Sequence, residues 1–260
     1  MDKIVTEGKE LGCHFYLLTG GEPLMRKWDI IRLCKKHNDC EFHAFTNGTL
    51  IDDDFCKAVT DVGNLSFSIS IEGFRDVNDS RRGKGDFDRV MHAMDLLRKY
   101  GILFGTSICY TRKNIDTVTS DEFLDLLIKK GVWFTWYFHY MPVGNDASLD
   151  LLPTPKQRAY MVRRVREIRG TKGGKPIFAI DFQNDGQYID GCVAGAATTA
   201  ISTRTATSNR ASLSIIPAPT STSRACSNAC SSRSSRNMPK ASLSTTTICA
   251  RARCWKIRST

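Results

Sequence analysis

The residues best suited to chemistry are Thr19, Gly20, Gly21, Glu22 and Pro23, which follow the apolar run Phe15 to Leu18. Two adjacent glycines can take a positive φ and leave backbone groups uncovered for a ligand. The carboxylate beside them can accept hydrogen bonds from an ammonium group. The same five residues also suit a plain strand-to-helix turn, with Pro23 opening the next helix. Four further short runs stand out: Thr46-Asn47-Gly48-Thr49, Glu72-Gly73 behind Ser68 and Ser70, Arg81-Arg82-Gly83, and Met141-Pro142-Val143-Gly144.

The elements that must position these runs alternate between helical and strand patterns. Residues 1–12 predict a helix ended by Gly12, and His14 to Thr19 a buried strand. Trp28 to His37 has a helical apolar period, Glu41 to Thr46 reads as a strand, and Asp52 to Val62 as a helix that Asp52 can cap. Asn64 to Ile71 alternates with period two. Asp86 to Tyr100 and Ser120 to Lys130 predict helices, each closed by a glycine, with strands at Ile102 to Tyr110 and Phe134 to Tyr140. A basic helix over Thr154 to Arg169 and a short strand over Pro176 to Ile180 follow. Successive strand–helix units imply an α/β fold with a parallel sheet and helices outside it. In such sheets ligands sit at the C-terminal strand ends, where these runs fall.

Taken together, LLTGGEPLMR, FTNGTLID, SISIEG with the later RRG, and YMPVGN resemble, in order, the strand-end motifs of radical S-adenosylmethionine (SAM) enzymes. The resemblance covers about residues 1–195 and implies a partial (β/α)6 barrel. It assigns Gly20, Gly21 and Glu22, with Pro23 behind them, to the amino group of SAM. Ser70 and Arg82, with Ser68 on the same strand as Ser70, become candidates for the SAM carboxylate and ribose. Thr46 and Asn47 would line the pocket floor. Glu72 stands where relatives often have Asp.

The same resemblance implies a [4Fe-4S] cluster held by CxxxCxxC at the end of a first strand, where SAM is cleaved to a 5′-deoxyadenosyl radical that takes hydrogen from a peptide or protein substrate. No CxxxCxxC occurs in this sequence, and Met1 falls within what would be the first helix. The expectation is therefore a barrel lacking its first strand and inactive by itself; a non-enzymatic remnant is the alternative. Cys13, Cys34, Cys40, Cys56 and Cys109 are scattered and read as packed, reduced thiols of a cytoplasmic protein. No apolar run approaches the roughly 18 residues needed to cross a membrane.

The net charge of +10 first suggests nucleic acid, but its distribution argues otherwise. All 27 acidic residues lie at or before Asp190, and residues 196–260 hold ten of the 37 basic ones. The first 195 residues are thus electrically balanced. The abrupt change fits a slip in reading frame. Taking the last nucleotide of each codon with the first two of the next, residues 196–223 can be read as GRYYCHINANGDVEPCVFIHYSSANIHE. Joined to residues 191–195, that string resembles the SPASM extension of radical SAM enzymes, whose cysteines bind auxiliary iron–sulfur clusters. The expected division is a barrel over 1–190, the start of an extension at 191–195 with Cys192 a candidate cluster ligand, and a disordered tail over 196–260. On this reading the CxxxC spacing of Cys226 and Cys230 is accidental, and the basic tail leaves a DNA- or RNA-binding role as the weakest alternative.

Overall fold

A computed structural model describes residues 1–143, 147–170 and 173–188, together with four strand segments between 199 and 251. Helix α1 (Asp2–Glu10) leads into strand β1 (Phe15–Thr19). A single 3-10 turn, Pro23–Arg26, opens α2 (Lys27–Lys36), and β2 (Glu41–Thr46) follows. Helix α3 (Asp53–Val62) starts where the Asp52 carboxylate accepts the Phe55 N–H at 2.8 Å, and it stops at Gly63 with φ 71°. Strand β3 (Leu65–Ser70) then leads to α4 (Arg75–Arg82) and α5 (Asp86–Lys99). Strand β4 (Phe104–Tyr110), the short α6 (Ile115–Val118), α7 (Asp121–Lys130) and β5 (Phe134–His139) come next. Helix α8 (Pro155–Ile168) is closed at its start by a capping box of Thr154 and Gln157, and β6 (Phe178–Asp181) completes the series.

Six strands, β1 to β6, pair in parallel in simple sequence order. Helices cover the face that carries Tyr16, Phe42, Phe67, Phe104 and Tyr137, all essentially without solvent exposure. The other face curls on itself. In a flat sheet β2 and β5 would stand roughly 14 Å apart, three spacings of about 4.8 Å. Yet the rings of His43 and Phe134 lie 5.6 Å apart, and those of Phe45 and Trp136 5.9 Å. The expected partial barrel is therefore present, with an aromatic wall on β2 and β5 facing a row of small residues on β3 and β4. Gly105 belongs to that row because a Cβ there would sit 2.3 Å from the Phe134 ring.

Four short strands are described within the stretch expected to be disordered: β7 (Thr199–Ser202), β8 (Thr207–Asn209), β9 (Pro217–Thr220) and β10 (Thr247–Arg251). β10 pairs antiparallel with β1. The physical reason lies in β1, whose far edge otherwise carries unpaired N–H and C=O groups able to accept a partner strand. The remainder of the tail expectation, with Cys192, Cys226 and Cys230, lies outside the described residues.

Candidate functional site

Because the sheet is parallel, the loops after β1, β2 and β3 share one end of it. Glu22 is the centre of the first two. Its Oε1 accepts the Leu24 N–H at 2.9 Å and the Thr46 hydroxyl at 2.6 Å, and its Oε2 accepts the Asn47 N–H at 2.8 Å. The Thr46 hydroxyl in turn accepts the Gly48 N–H at 3.1 Å. One carboxylate thus ties the end of β1 to the end of β2. A carboxylate has about four acceptor positions, so Oε2 keeps one. Gly20 adopts φ 143°, and a Cβ on Gly21 would meet nothing within 4 Å. The loop therefore offers open space and one remaining carboxylate lone pair, an arrangement that fits an ammonium group.

The β3 end is built around Glu72, whose side chain has no solvent exposure. Arg82 donates from Nε and Nη2 to one oxygen, and Arg81 donates to the other at 2.9 Å. Burial pushes the Glu72 carboxyl upward, and the guanidiniums of Arg82 and Arg81 pull the other way. Asn78 and Asn114 hold the Glu72 backbone N–H and C=O. Two cations against one anion leave a net positive charge, and Arg82 still has donors free of Glu72. That excess suits one carboxylate of a ligand.

Of the residues expected from sequence, the structure brings Gly20, Gly21, Glu22, Pro23, Thr46 and Asn47 into one loop cluster. Ser70 is half-buried on the inner face of β3, one strand from Thr46, with Ser107 beside it on β4. Arg82 reaches the same strand end through Glu72. Ser68 is placed apart, buried inside the barrel, where its hydroxyl lies 2.8 Å from His43 Nε2. Gly144 and Asn145 of the fourth motif lie outside the described residues.

Sequence reasoning passed over His43, and it noted Glu72 and Arg81 without giving either a role. His43 is buried and bridges Ser68 and Ser66, the latter at 3.0 Å from Nδ1. Burial holds its pKa down to about 4, so the ring is neutral. The signal that could have found it is the alternation Ser66, Ser68, Ser70, an unusually polar inner face for a strand flanked by apolar ones. At the opposite end of the barrel from Glu22, a cleft of about 830 Å³ opens between Phe15, Glu41, His43, Phe134 and Trp136.

Among the described residues no three thiolates converge; the single group of three metal-type ligands contains one cysteine. Cys34 is pushed up to about 12 and Cys56 to about 11, chiefly by burial, which suits packed thiols. Cys13, Cys34, Cys40, Cys56 and Cys109 are reduced thiols, and among the described residues no helix is long and apolar enough to cross a membrane.

Residues 1–127 match the family model of the Radical SAM superfamily. The Fe-coproporphyrin III synthase of Methanosarcina barkeri is 28% identical over 198 residues, covering 70% of this chain and 49% of that protein. The mycofactocin maturase MftC of Mycolicibacterium smegmatis is 29% identical over 161 residues, covering 60% and 40%. The chain thus spans about half, or less, of the length of these relatives. Among solved structures, anSMEcpe with bound AdoMet and Kp18Cys peptide superposes with a TM-score of 0.58 at 15% identity, covering 80% of this chain and 64% of that one. SuiB of Streptococcus suis bound to precursor peptide SuiA gives 0.57 at 16% identity, covering 73% and 43%. The fold is that of radical SAM proteins.

Proposed function

We propose that this chain, which carries a radical SAM domain over residues 1–127, is the SAM-binding part of a cytoplasmic radical SAM enzyme that acts on a peptide or protein. The observation that carries the reading is Glu22, whose carboxylate is locked by three hydrogen bonds with one lone pair left over at the C-terminal rim of the sheet. Gly20, Gly21 and Glu22 would receive the ammonium of SAM. Ser70 and Arg82 would receive its carboxylate and ribose, and Thr46 and Asn47 would line the floor. SAM at a [4Fe-4S] cluster supplies, in this family, a carbon radical that abstracts hydrogen. The described residues hold no set of thiolates for that cluster, so their work is to bind and orient. The 260-residue chain by itself is expected to bind SAM without cleaving it. The peptide assignment rests on the maturase among the relatives and on the peptides bound by anSMEcpe and SuiB. The basic excess falls on residues 196–260 and gives the barrel no attraction for nucleic acid.

Calorimetry with three nucleosides tests this reading. SAM and S-adenosylhomocysteine carry the ammonium and carboxylate; methylthioadenosine lacks both. The first two should bind at least about tenfold more tightly than the third, since one charge-assisted hydrogen bond contributes about 1.5–3 kcal/mol. Equal affinity for all three, or none, would overturn it.

A further inference from the structure

At the end of the sheet opposite Glu22, three side chains of different chemistry converge. His14 immediately precedes β1, and Asp39 and Cys40 immediately precede β2. His14 Nδ1, a carboxylate oxygen of Asp39 and Cys40 Sγ all lie within 4.8 Å of one another. Cys40 Sγ is 3.9 Å from His14 Nδ1 and 3.9 Å from Asp39 Oδ1. We propose that His14, Asp39 and Cys40 form a binding site for a divalent transition-metal ion of the zinc type, with water completing the coordination.

The two distances from Cys40 Sγ are close to those of occupied sites. Zinc bonds of about 2.3 Å to sulfur and 2.0–2.2 Å to nitrogen or oxygen put neighbouring ligand atoms of a tetrahedron about 3.3–3.6 Å apart. The two distances from Cys40 Sγ, both 3.9 Å, therefore need to shorten by a few tenths of an ångström, and the His14–Asp39 pair, within 4.8 Å, by up to about 1.5 Å. The donor set of imidazole, thiolate and carboxylate favours a borderline-soft ion over calcium or magnesium. The scaffold is also held in place. The Glu41 N–H donates to the His14 carbonyl at 2.8 Å, which fixes the start of β2 against the start of β1. The buried Asn64 amide donates to the carbonyls of Cys34, His37 and Cys40 at 2.8–3.1 Å, which pins the loop that carries two of the ligands. Such outer-shell support is what orients ligands before a metal arrives.

A cation already occupies part of this place. Lys9 Nζ lies 2.8 and 3.0 Å from the two Asp39 oxygens. A metal ion must displace that ammonium, and Cys40 must lose its proton on binding. Lys9 is thus a competitor for Asp39, and its removal should tighten metal binding. This effect has no counterpart in a purely structural cluster.

The test is titration of the full 260-residue chain with Co²⁺ as a zinc probe, followed by competition with Zn²⁺. The expected result is one equivalent bound with a thiolate-to-cobalt absorption band that Zn²⁺ removes. His14→Ala changes an exposed residue, so folding is not at stake. It should weaken binding by about tenfold or more, and Cys40→Ser should abolish the band. Lys9→Met should tighten binding several-fold. A band that survives both His14→Ala and Cys40→Ser would place the ion elsewhere and overturn the proposal. So would the absence of any band, or weaker binding in Lys9→Met. SAM affinity should be unchanged in all three variants, which separates this site from the one at Glu22.

Discussion

Arg82 sets both Nε and Nη2 on a single oxygen of Glu72, at 3.1 and 2.5 Å, while Arg81 takes the other oxygen. The carboxylate is fully buried; the Arg82 side chain keeps 26% of its exposure. Breaking one half of a buried pair leaves a charge with reduced compensation, which is costly. Arg82→Ala should therefore lower stability by about 3 kcal/mol, the lower end for such pairs because Arg81 remains. Arg75 and Asp88 form the contrasting pair, both more than half exposed. Arg75→Ala should cost far less, because solvent screens that pair. Urea unfolding of the two variants side by side checks the ranking, and equal losses would contradict it.

His43 gives the chain a pH-dependent stability. Its folded pKa is held at about 4 by burial, against an ordinary value of 6.5. Between those values the unfolded state binds more protons than the folded one, so stability rises with pH there. The contribution is full above about pH 6.5 and is lost as pH falls toward 4, a change of roughly 3 kcal/mol. His43→Gln should flatten that part of the profile. Chemical denaturation at pH 7, 6, 5 and 4 measures it, and an unchanged slope in the variant would assign the acid sensitivity to other groups.

Gly105 tests the curl of the sheet. A methyl group there would meet the Phe134 ring at 2.3 Å and the Phe134 carbonyl oxygen at 2.4 Å. The backbone atom cannot swing away as a flexible side chain would. Gly105→Ala should cost about 1–3 kcal/mol through overpacking. Restoring room with Gly105→Ala plus Phe134→Leu should recover little, because the carbonyl contact persists. Full recovery in the double variant would mean that the ring alone sets the constraint.

Much of this architecture was legible because the strands are short apolar runs separated by glycine-marked turns, and because four strand-end motifs occur in order. Helix α4 was not. Its sequence, RDVNDSRR, has no apolar period, and its one buried residue is Asn78, which bonds Glu72 and Asp86. A helix held by a buried polar network leaves no hydrophobic signature. Arg82 was singled out for a ligand, but its engagement with Glu72 was invisible, since a pair ten residues apart across a turn has no sequence rule. The inward row of serines on β3 was visible as alternation, and the aromatics of β5 stand together in the sequence. Their meeting across the barrel depends on sheet curvature, which no local pattern encodes.

Glu22→Gln is the most selective test of the loop cluster. The change preserves shape and replaces one acceptor oxygen with an NH₂ group. In the folded loop Oε1 meets two donors, Leu24 N–H and the Thr46 hydroxyl, and Oε2 meets one, Asn47 N–H. The amide should therefore keep its oxygen on the two-donor side and turn its NH₂ toward Asn47. That leaves the Asn47 N–H facing another donor and removes the lone pair available to an ammonium. A modest loss of stability follows, about 1–3 kcal/mol for one unsatisfied donor. SAM affinity should fall by a larger factor than stability alone explains, about 10- to 150-fold for the lost charge-assisted bond. Methylthioadenosine, which carries no ammonium, should bind the variant as it binds the parent chain. Calorimetry with both nucleosides and a denaturation curve separate the two effects. Loss of SAM binding with an equal loss for methylthioadenosine would mean that Glu22 only holds the loop. Undiminished SAM binding in the folded variant would remove Glu22 from the site.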